Sequence, residues 1–189
     1  SGPLAAAISA ALYLMAAGIA GFGIHLSYPH AALGLCNLVT IVRLMVTTAL
    51  IAPVVTAAPT DGWIIFGLAL VALGLDGFDG WLARREQLSS AFGARFDMEV
   101  DSALALVLAI HAFVAGAVGP LVLALALPRY AFFAAQAVFP WMTADLPPRF
   151  TRKVVCVLQI GTLMIMLTPF ASQPLSDILV LVTLGIVGW

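Results

Sequence analysis

Residues 76–101 read DGFDGWLARREQLSSAFGARFDMEVD. Four aspartates punctuate the stretch: Asp76, Asp79, Asp97 and Asp101. The chain around them is apolar. Of its 189 residues, 63% are hydrophobic and 9% are charged, whereas soluble domains run at roughly 45–50% apolar and about 25% charged. That composition is the mark of an integral membrane protein. A carboxylate near a bilayer is costly unless it is paired, solvated or metal-bound. Four of them at intervals of three and four residues therefore demand a partner.

Outward from this stretch, the apolar runs predict seven membrane helices. A helix needs about 20 apolar residues to cross the hydrocarbon core. The runs are Leu4–Ile24, Ile41–Ala58, Trp63–Leu75 (continuing through Leu82), Val100–Val118 (extending back through Asp97), Leu121–Trp141, Val154–Phe170 and Leu175–Trp189. Gly, Pro and Asp break the chain at 59–62, 119–120, 147–148 and 174, as turn signals do. Apolar residues recur every three to four positions rather than alternating, which excludes a barrel. Ser1-Gly2-Pro3 reads as a tag remnant, and no basic region precedes the first apolar run, which argues against a signal peptide. Cys36 and Cys156 form no motif and read as small apolar residues.

The basic residues are Arg43, Arg84, Arg85, Arg95, Arg129, Arg149, Arg152 and Lys153. All but Arg129 fall on one side of the threaded helices, and the loops at 59–62, 116–120 and 171–174 carry none. The positive-inside rule makes the basic side cytoplasmic. The aspartates share that side, with residue 1 outside and the C-terminus inside. No nucleic-acid partner is expected.

Residues three or four apart on a helix share a face. Asp76 and Asp79 pair in this way at the end of the third span, and Asp97 and Asp101 at the start of the fourth. A short link makes these spans antiparallel neighbours, so the carboxylates converge. Four bare anions in one pocket repel. Hard divalent cations relieve that repulsion and prefer oxygen ligands. Two such ions about 3.5–4 Å apart form a clamp for in-line displacement at phosphorus. Gly77, Gly80 and Gly93 flank the carboxylates, and Gly74 lies one turn earlier. Small residues there permit either close helix approach or ligand entry.

The stretch resembles the CDP-alcohol phosphotransferase signature, D-x2-D-G-x2-A-R-x8-G-x3-D-x3-D. Asp76, Asp79, Gly80, Ala83, Arg84, Gly93, Asp97 and Asp101 stand at its fixed positions. Residues 37–43, NLVTIVR, are similar to the family's P-N-x-x-T-x-x-R entry, with Cys36 in the place of the proline. Residues 148–153, PRFTRK, followed by Gln159, resemble the G-K-x-x-T-x-x-Q region of phosphatidylglycerophosphate and cardiolipin synthases. There Arg152 stands for Gly and Cys156 for Thr.

The resemblance implies an all-α membrane protein with a six-helix catalytic domain over 37–189. Residues 1–36 are then an additional N-terminal helix and loop. It also implies a homodimer in a bacterial-type inner membrane, with a polar cavity open to the cytoplasm. The implied reaction moves a phosphatidyl group from a CDP-linked lipid such as CDP-diacylglycerol to an alcohol, releasing CMP. Glycerol 3-phosphate, phosphatidylglycerol, inositol phosphate, serine and choline are acceptors used by relatives, and the basic cluster favours a phosphorylated or anionic one such as the first two. Carried over by position, Asp76, Asp79 and Asp97 hold two Mg²⁺ or Mn²⁺ ions. Asp101 contacts the second ion and acts as general base. Gly80, Ala83 and Gly93 border the cytidine, with Arg84 and Thr40 nearby.

Other residues admit two uses. Arg129 lies mid-span and either binds phosphate or acceptor or makes a structural ion pair. Arg149, Arg152 and Lys153 either bind a phosphorylated acceptor or meet anionic headgroups. His111 reads as a hydrogen-bonded core histidine, and His25 and His30 as interface residues. Glu99 points away from Asp97 and Asp101, toward a pair with Arg95. Asp61, Glu86, Asp145 and Asp177 read as solvated or capping acids. Trp63, Trp81, Trp141 and Trp189 lie near predicted helix ends, as in an aromatic belt. Two rival functions remain at this point. One is a di-metal hydrolase passing the phosphatidyl group to water. The other is a divalent-cation transporter, although no internal repeat supports it.

Overall fold

A computed structural model describes residues 3–27, 34–56, 60–88, 90–139 and 150–188. Among them the chain is helical, without strands: α1 Pro3–Ser27, α2 Gly34–Val55, α3 Gly62–Arg85, α4 Ala91–Val114, a 3₁₀ segment Pro120–Leu125, α5 Leu127–Val138, α6 Phe150–Met166 and α7 Gln173–Gly188. Two compact units divide the chain, Ser1–Leu104 and Ala105–Trp189, with the boundary inside α4. α2 and α3 are long and apolar enough to cross a membrane; Ala6–Phe22, Lys153–Met166 and Gln173–Gly188 are shorter apolar stretches. Leu14, Met15, Phe22, Leu70, Val71, Ile178 and Leu181 are exposed, an outward apolar surface suited to lipid rather than water. His30, Trp141, Asp145, Pro147, Pro148, Arg149 and Trp189 lie outside the described residues, as do the side chains of His25 and Arg152.

In the first unit, α2 packs against both α1 and α3. The buried residues of α3 are Ile65, Ala69, Ala72, Asp76, Asp79 and Leu82, one stripe at helical spacing. Ala69 and Ala72 are completely buried, and their size lets α2 approach closely. The same stripe ends in the two aspartates. Ser9 of α1 donates to the Thr48 carbonyl at 3.1 Å, a polar tie between α1 and α2. An apolar cavity of about 250 Å³ lies among α1, α2 and α4, lined in part by Ala16, Leu44 and Val100, with Glu99 at its edge.

Helix ends in this unit are set by side chains. Asp61 accepts from the Trp63 N–H at 3.0 Å and caps α3, as its sequence position suggests. Ser90 accepts from the Gly93 N–H at 3.0 Å and caps α4. α3 closes with paired bonds from Leu88 N–H to the Ala83 carbonyl (3.1 Å) and from Gln87 N–H to that of Arg84 (3.4 Å). This is the Schellman pattern, with Gln87 in the left-handed region at φ 57°. The reversal turns Glu86 back toward α2, where its carboxylate accepts from the Leu35 N–H at 3.1 Å. Glu86 is thus the capping acid its sequence setting allows, but it caps a helix 51 residues away. Gly34, at φ +68°, makes room for this: a Cβ there would collide with Leu88 and stand 2.9 Å from the Glu86 carboxylate.

In the second unit, α6 packs on α7, and the 3₁₀ segment contacts α7 and α5. α4 ends on Gly116 at φ +69°, where Ala117 N–H bonds to the Ala112 carbonyl and Gly116 N–H to that of Phe113. The Gln159 amide donates to the Leu125 carbonyl at 2.7 Å, closing the end of the 3₁₀ segment. Thr162 and Thr183 join α6 to α7 at 3.1 Å.

Two sequence expectations need correction. The run Leu121–Trp141 is not one helix through its described part. It is a 3₁₀ segment followed by the 12-residue α5. Pro128 sits at the start of α5, where its missing N–H and fixed φ initiate a helix and cannot continue one. Arg129 consequently lies in the first turn of α5, not mid-span. The second correction concerns α2, which begins at Gly34, so Arg43 is well inside it and not at its start.

Candidate functional site

α2 carries an unusual buried stripe: Asn37, Thr40, Arg43 and Thr47, at intervals of three and four. Thr47 returns its hydroxyl to the Arg43 carbonyl at 2.9 Å, which satisfies it within the helix. Thr40 has two acceptors in reach, the Cys36 carbonyl at 3.2 Å and the Asp79 carboxylate at 2.9 Å. Arg43 is the centre of the arrangement. Its side chain is 1% exposed, yet it is the largest fully buried side chain of the described residues.

All four aspartates of the 76–101 stretch meet this guanidinium. Nη1 lies 3.4 Å from Asp76, 3.0 Å from Asp79 and in contact with Asp97, while Nη2 contacts Asp101. The Asp76 and Asp79 side chains are 5% and 6% exposed, against 16% for Asp101 and 29% for Asp97. The cluster therefore has a closed floor, built by α3, and an open side, built by α4. Breaking a buried ion pair by removing one partner costs about 3–5 kcal/mol, so each of these helices is tied to α2 through Arg43.

One guanidinium does not balance four carboxylates; with all ionised, these five groups sum to a charge of −3. Carboxylate oxygens of Asp76, Asp97 and Asp101 lie within 4.8 Å of one another. This is an all-oxygen donor set, the kind that suits Mg²⁺ or Mn²⁺. The residues present thus fit a hard divalent cation. Asp79 stands slightly apart from this trio, held between Thr40 and Arg43.

The other candidate residues are distributed unevenly. Gly80 and Ala83 are half-buried on the next turn of α3 and Arg84 is exposed there. A Cβ on Gly93 would press on the Ser90 hydroxyl at 3.2 Å and reach Asn37 at 3.7 Å, so this glycine is needed at the α4 entry. Gly74 and Gly77 differ: a Cβ on either would meet nothing within 4 Å, and neither serves close packing within the described chain. Arg129, Arg152 and Lys153 belong to the second unit. Arg129 is half-buried and Lys153 exposed, each in the first turn of its helix. His111 is buried near the end of α4.

Sequence reasoning used Arg43 as a marker of membrane topology and as the last position of the NLVTIVR resemblance, and did not place it among the site residues. The available signal was the Thr40–Arg43 spacing, which places a hydroxyl and a cation one turn apart on the face that α3 covers.

No curated protein and no solved structure matches the chain. A family model, that of CDP-alcohol phosphatidyltransferase, matches residues 33–189 and leaves α1 outside. With the aspartates of its signature stretch gathered on one buried arginine, and with that match over most of its length, the chain belongs to the CDP-alcohol phosphatidyltransferase family.

Proposed function

We propose that this protein transfers a phosphatidyl group from a CDP-linked lipid, CDP-diacylglycerol, to an alcohol acceptor and releases CMP, using two Mg²⁺ or Mn²⁺ ions. The observation that carries the reading is the convergence of Asp76, Asp97 and Asp101 oxygens beside Asp79 at the ends of two helices.

Asp76, Asp79, Asp97 and Asp101 would hold the ions. Bound there, divalent cations neutralise the charge that develops on the pyrophosphate as its bridging bond breaks. The rest of the work falls to the protein. Asp101, partly exposed, takes the proton of the acceptor hydroxyl as its oxygen bonds to the lipid phosphorus. The electron pair of the breaking P–O bond leaves with CMP. A base must lie within hydrogen-bond reach of the proton it accepts, and Asp101 belongs to the open side of the cluster. Gly80, Ala83 and Gly93 border the cytidine in this reading, with Arg84 and Thr40 nearby.

The reaction takes place at the cytoplasmic surface of a multi-pass homodimer. Arg84, Arg85 and Arg95 flank the carboxylates at the same end of α3 and α4, and such residues accumulate on the cytoplasmic side. Residues 37–189 form the catalytic part, and the segment 1–36 is an addition to it. The acceptor is anionic, glycerol 3-phosphate or phosphatidylglycerol, met by Arg129, Arg152 and Lys153.

The test supplies CDP-diacylglycerol and Mg²⁺ or Mn²⁺ with a panel of acceptors and identifies the lipid products by mass. A new phospholipid formed with stoichiometric CMP supports transfer. CMP and phosphatidic acid formed without any alcohol would replace it with hydrolysis. Within the same assay, Arg129→Ala should raise the acceptor's KM about tenfold or more and leave that of CDP-diacylglycerol within about twofold, the loss expected for one charge-assisted contact. An unchanged acceptor KM would reduce Arg129 to a structural residue.

A further inference from the structure

Arg43 contacts the same carboxylates that a divalent ion would use. Asp97 and Asp101 each give it an oxygen, Asp79 gives a third at 3.0 Å, and Asp76 lies 3.4 Å away. A guanidinium and a divalent ion repel each other and compete for those oxygens. The backbone of Arg43 is fixed within α2, and its Nε has no hydrogen-bond partner among the described residues. Among the described residues, the polar contacts of its side chain are made by the two terminal nitrogens. The head of the side chain is thus held by the carboxylates and by no anchor of its own in α2.

We propose that Arg43 is an exchangeable counter-cation, which gathers the four carboxylates in the metal-free protein and yields their oxygens as divalent ions bind. This rests on the two-ion reading given above. It gives the residue two opposed effects. Arg43 stabilises the metal-free fold, because four converging anions would otherwise be buried without compensation. It also weakens metal binding, because each ion must displace a resident positive charge. The metal-free protein is then folded and ready to load, and its ions bind less tightly than to the bare carboxylates.

The experiment measures Mn²⁺ binding by calorimetry and by electron paramagnetic resonance on the full chain in lipid nanodiscs, without substrate. Wild type is compared with Arg43→Gln and Arg43→Lys, together with thermal unfolding of each metal-free protein. The proposal expects Arg43→Gln to melt lower when metal-free yet to bind Mn²⁺ at least tenfold more tightly, with Arg43→Lys between it and wild type. Wild type that binds Mn²⁺ while Arg43→Gln binds no more tightly overturns the counter-cation and leaves the metal site standing. Wild type that takes up no Mn²⁺ removes both. Should Arg43→Gln fail to fold, wild type alone decides through the ¹⁵N resonances of its guanidinium groups, with Arg43 assigned by its loss in Arg43→Lys. A slowly exchanging Arg43 signal that is released by saturating Mg²⁺ supports the proposal, and one that Mg²⁺ leaves unchanged overturns it.

Discussion

Asp97→Asn is expected to abolish CMP release, by about a thousandfold or more, while leaving the protein folded. Asp97 is the most exposed of the four acids, with 29% of its side chain accessible, so an isosteric amide is tolerated there. Its charge is a different matter. It sits in the trio of converging oxygens, and a thousandfold loss corresponds to about 4 kcal/mol of transition-state stabilisation, within the several kcal/mol that a metal ligand controls. Helix content by circular dichroism should match wild type. Turnover within about tenfold of wild type would remove Asp97 from the metal site, because loss of a ligand costs more than that.

The second large effect is expected from a residue that touches no substrate. Ala72 is fully buried in the α3 stripe that faces α2, four residues before Asp76. Ala72→Leu inserts a branched side chain where two helices meet through small residues. Overpacking of this kind costs about 1–3 kcal/mol, to be read as a lower unfolding temperature in detergent or nanodiscs. Activity should suffer more than stability. Asp76 is one turn along the same helix, and displacing a catalytic group by about 1 Å can cost a hundredfold. A normal rate in a destabilised variant would show that the α2–α3 spacing does not position the carboxylates.

The legible parts of this protein were those written locally. The i,i+3 and i,i+4 spacing of the aspartates was enough to put each pair on one face, and Asp61 and Glu86 were readable as capping acids. The apolar runs gave α1, α3 and α7 with ends close to those observed, whereas α6 begins and ends four residues before its run. Arg43 was misplaced because apolarity alone starts the second run at Ile41, whereas Asn37 and Thr40 are polar residues buried inside a helix that begins at Gly34. Hydrophobicity locates helices by what lipid would accept and passes over polar residues that another helix covers. The run after Pro120 failed for the opposite reason. Its composition is continuous, but Pro128 removes one backbone donor, and a single missing N–H divides the segment. Nothing local announces that Glu86 caps α2. That bond depends on the left-handed turn at Gln87 and on the space beside Gly34, which only the folded chain brings together.

The bond between Glu86 and Leu35 has a mechanical consequence. Leu35 precedes Arg43 by eight residues, about 12 Å along the axis at 1.5 Å per residue. Glu86 follows Asp79 by seven, about 10 Å by the same rise. Two rods lying side by side are thus pinned at one end and clasped by an arginine farther along. With only the clasp, α2 could slide on α3 and carry the guanidinium from one aspartate to the next. With the pin in place, any slide of α2 on α3 must also break the bond between Glu86 and Leu35. Two fastenings on the same pair of helices therefore hold the register in which Thr40 and Arg43 meet Asp79.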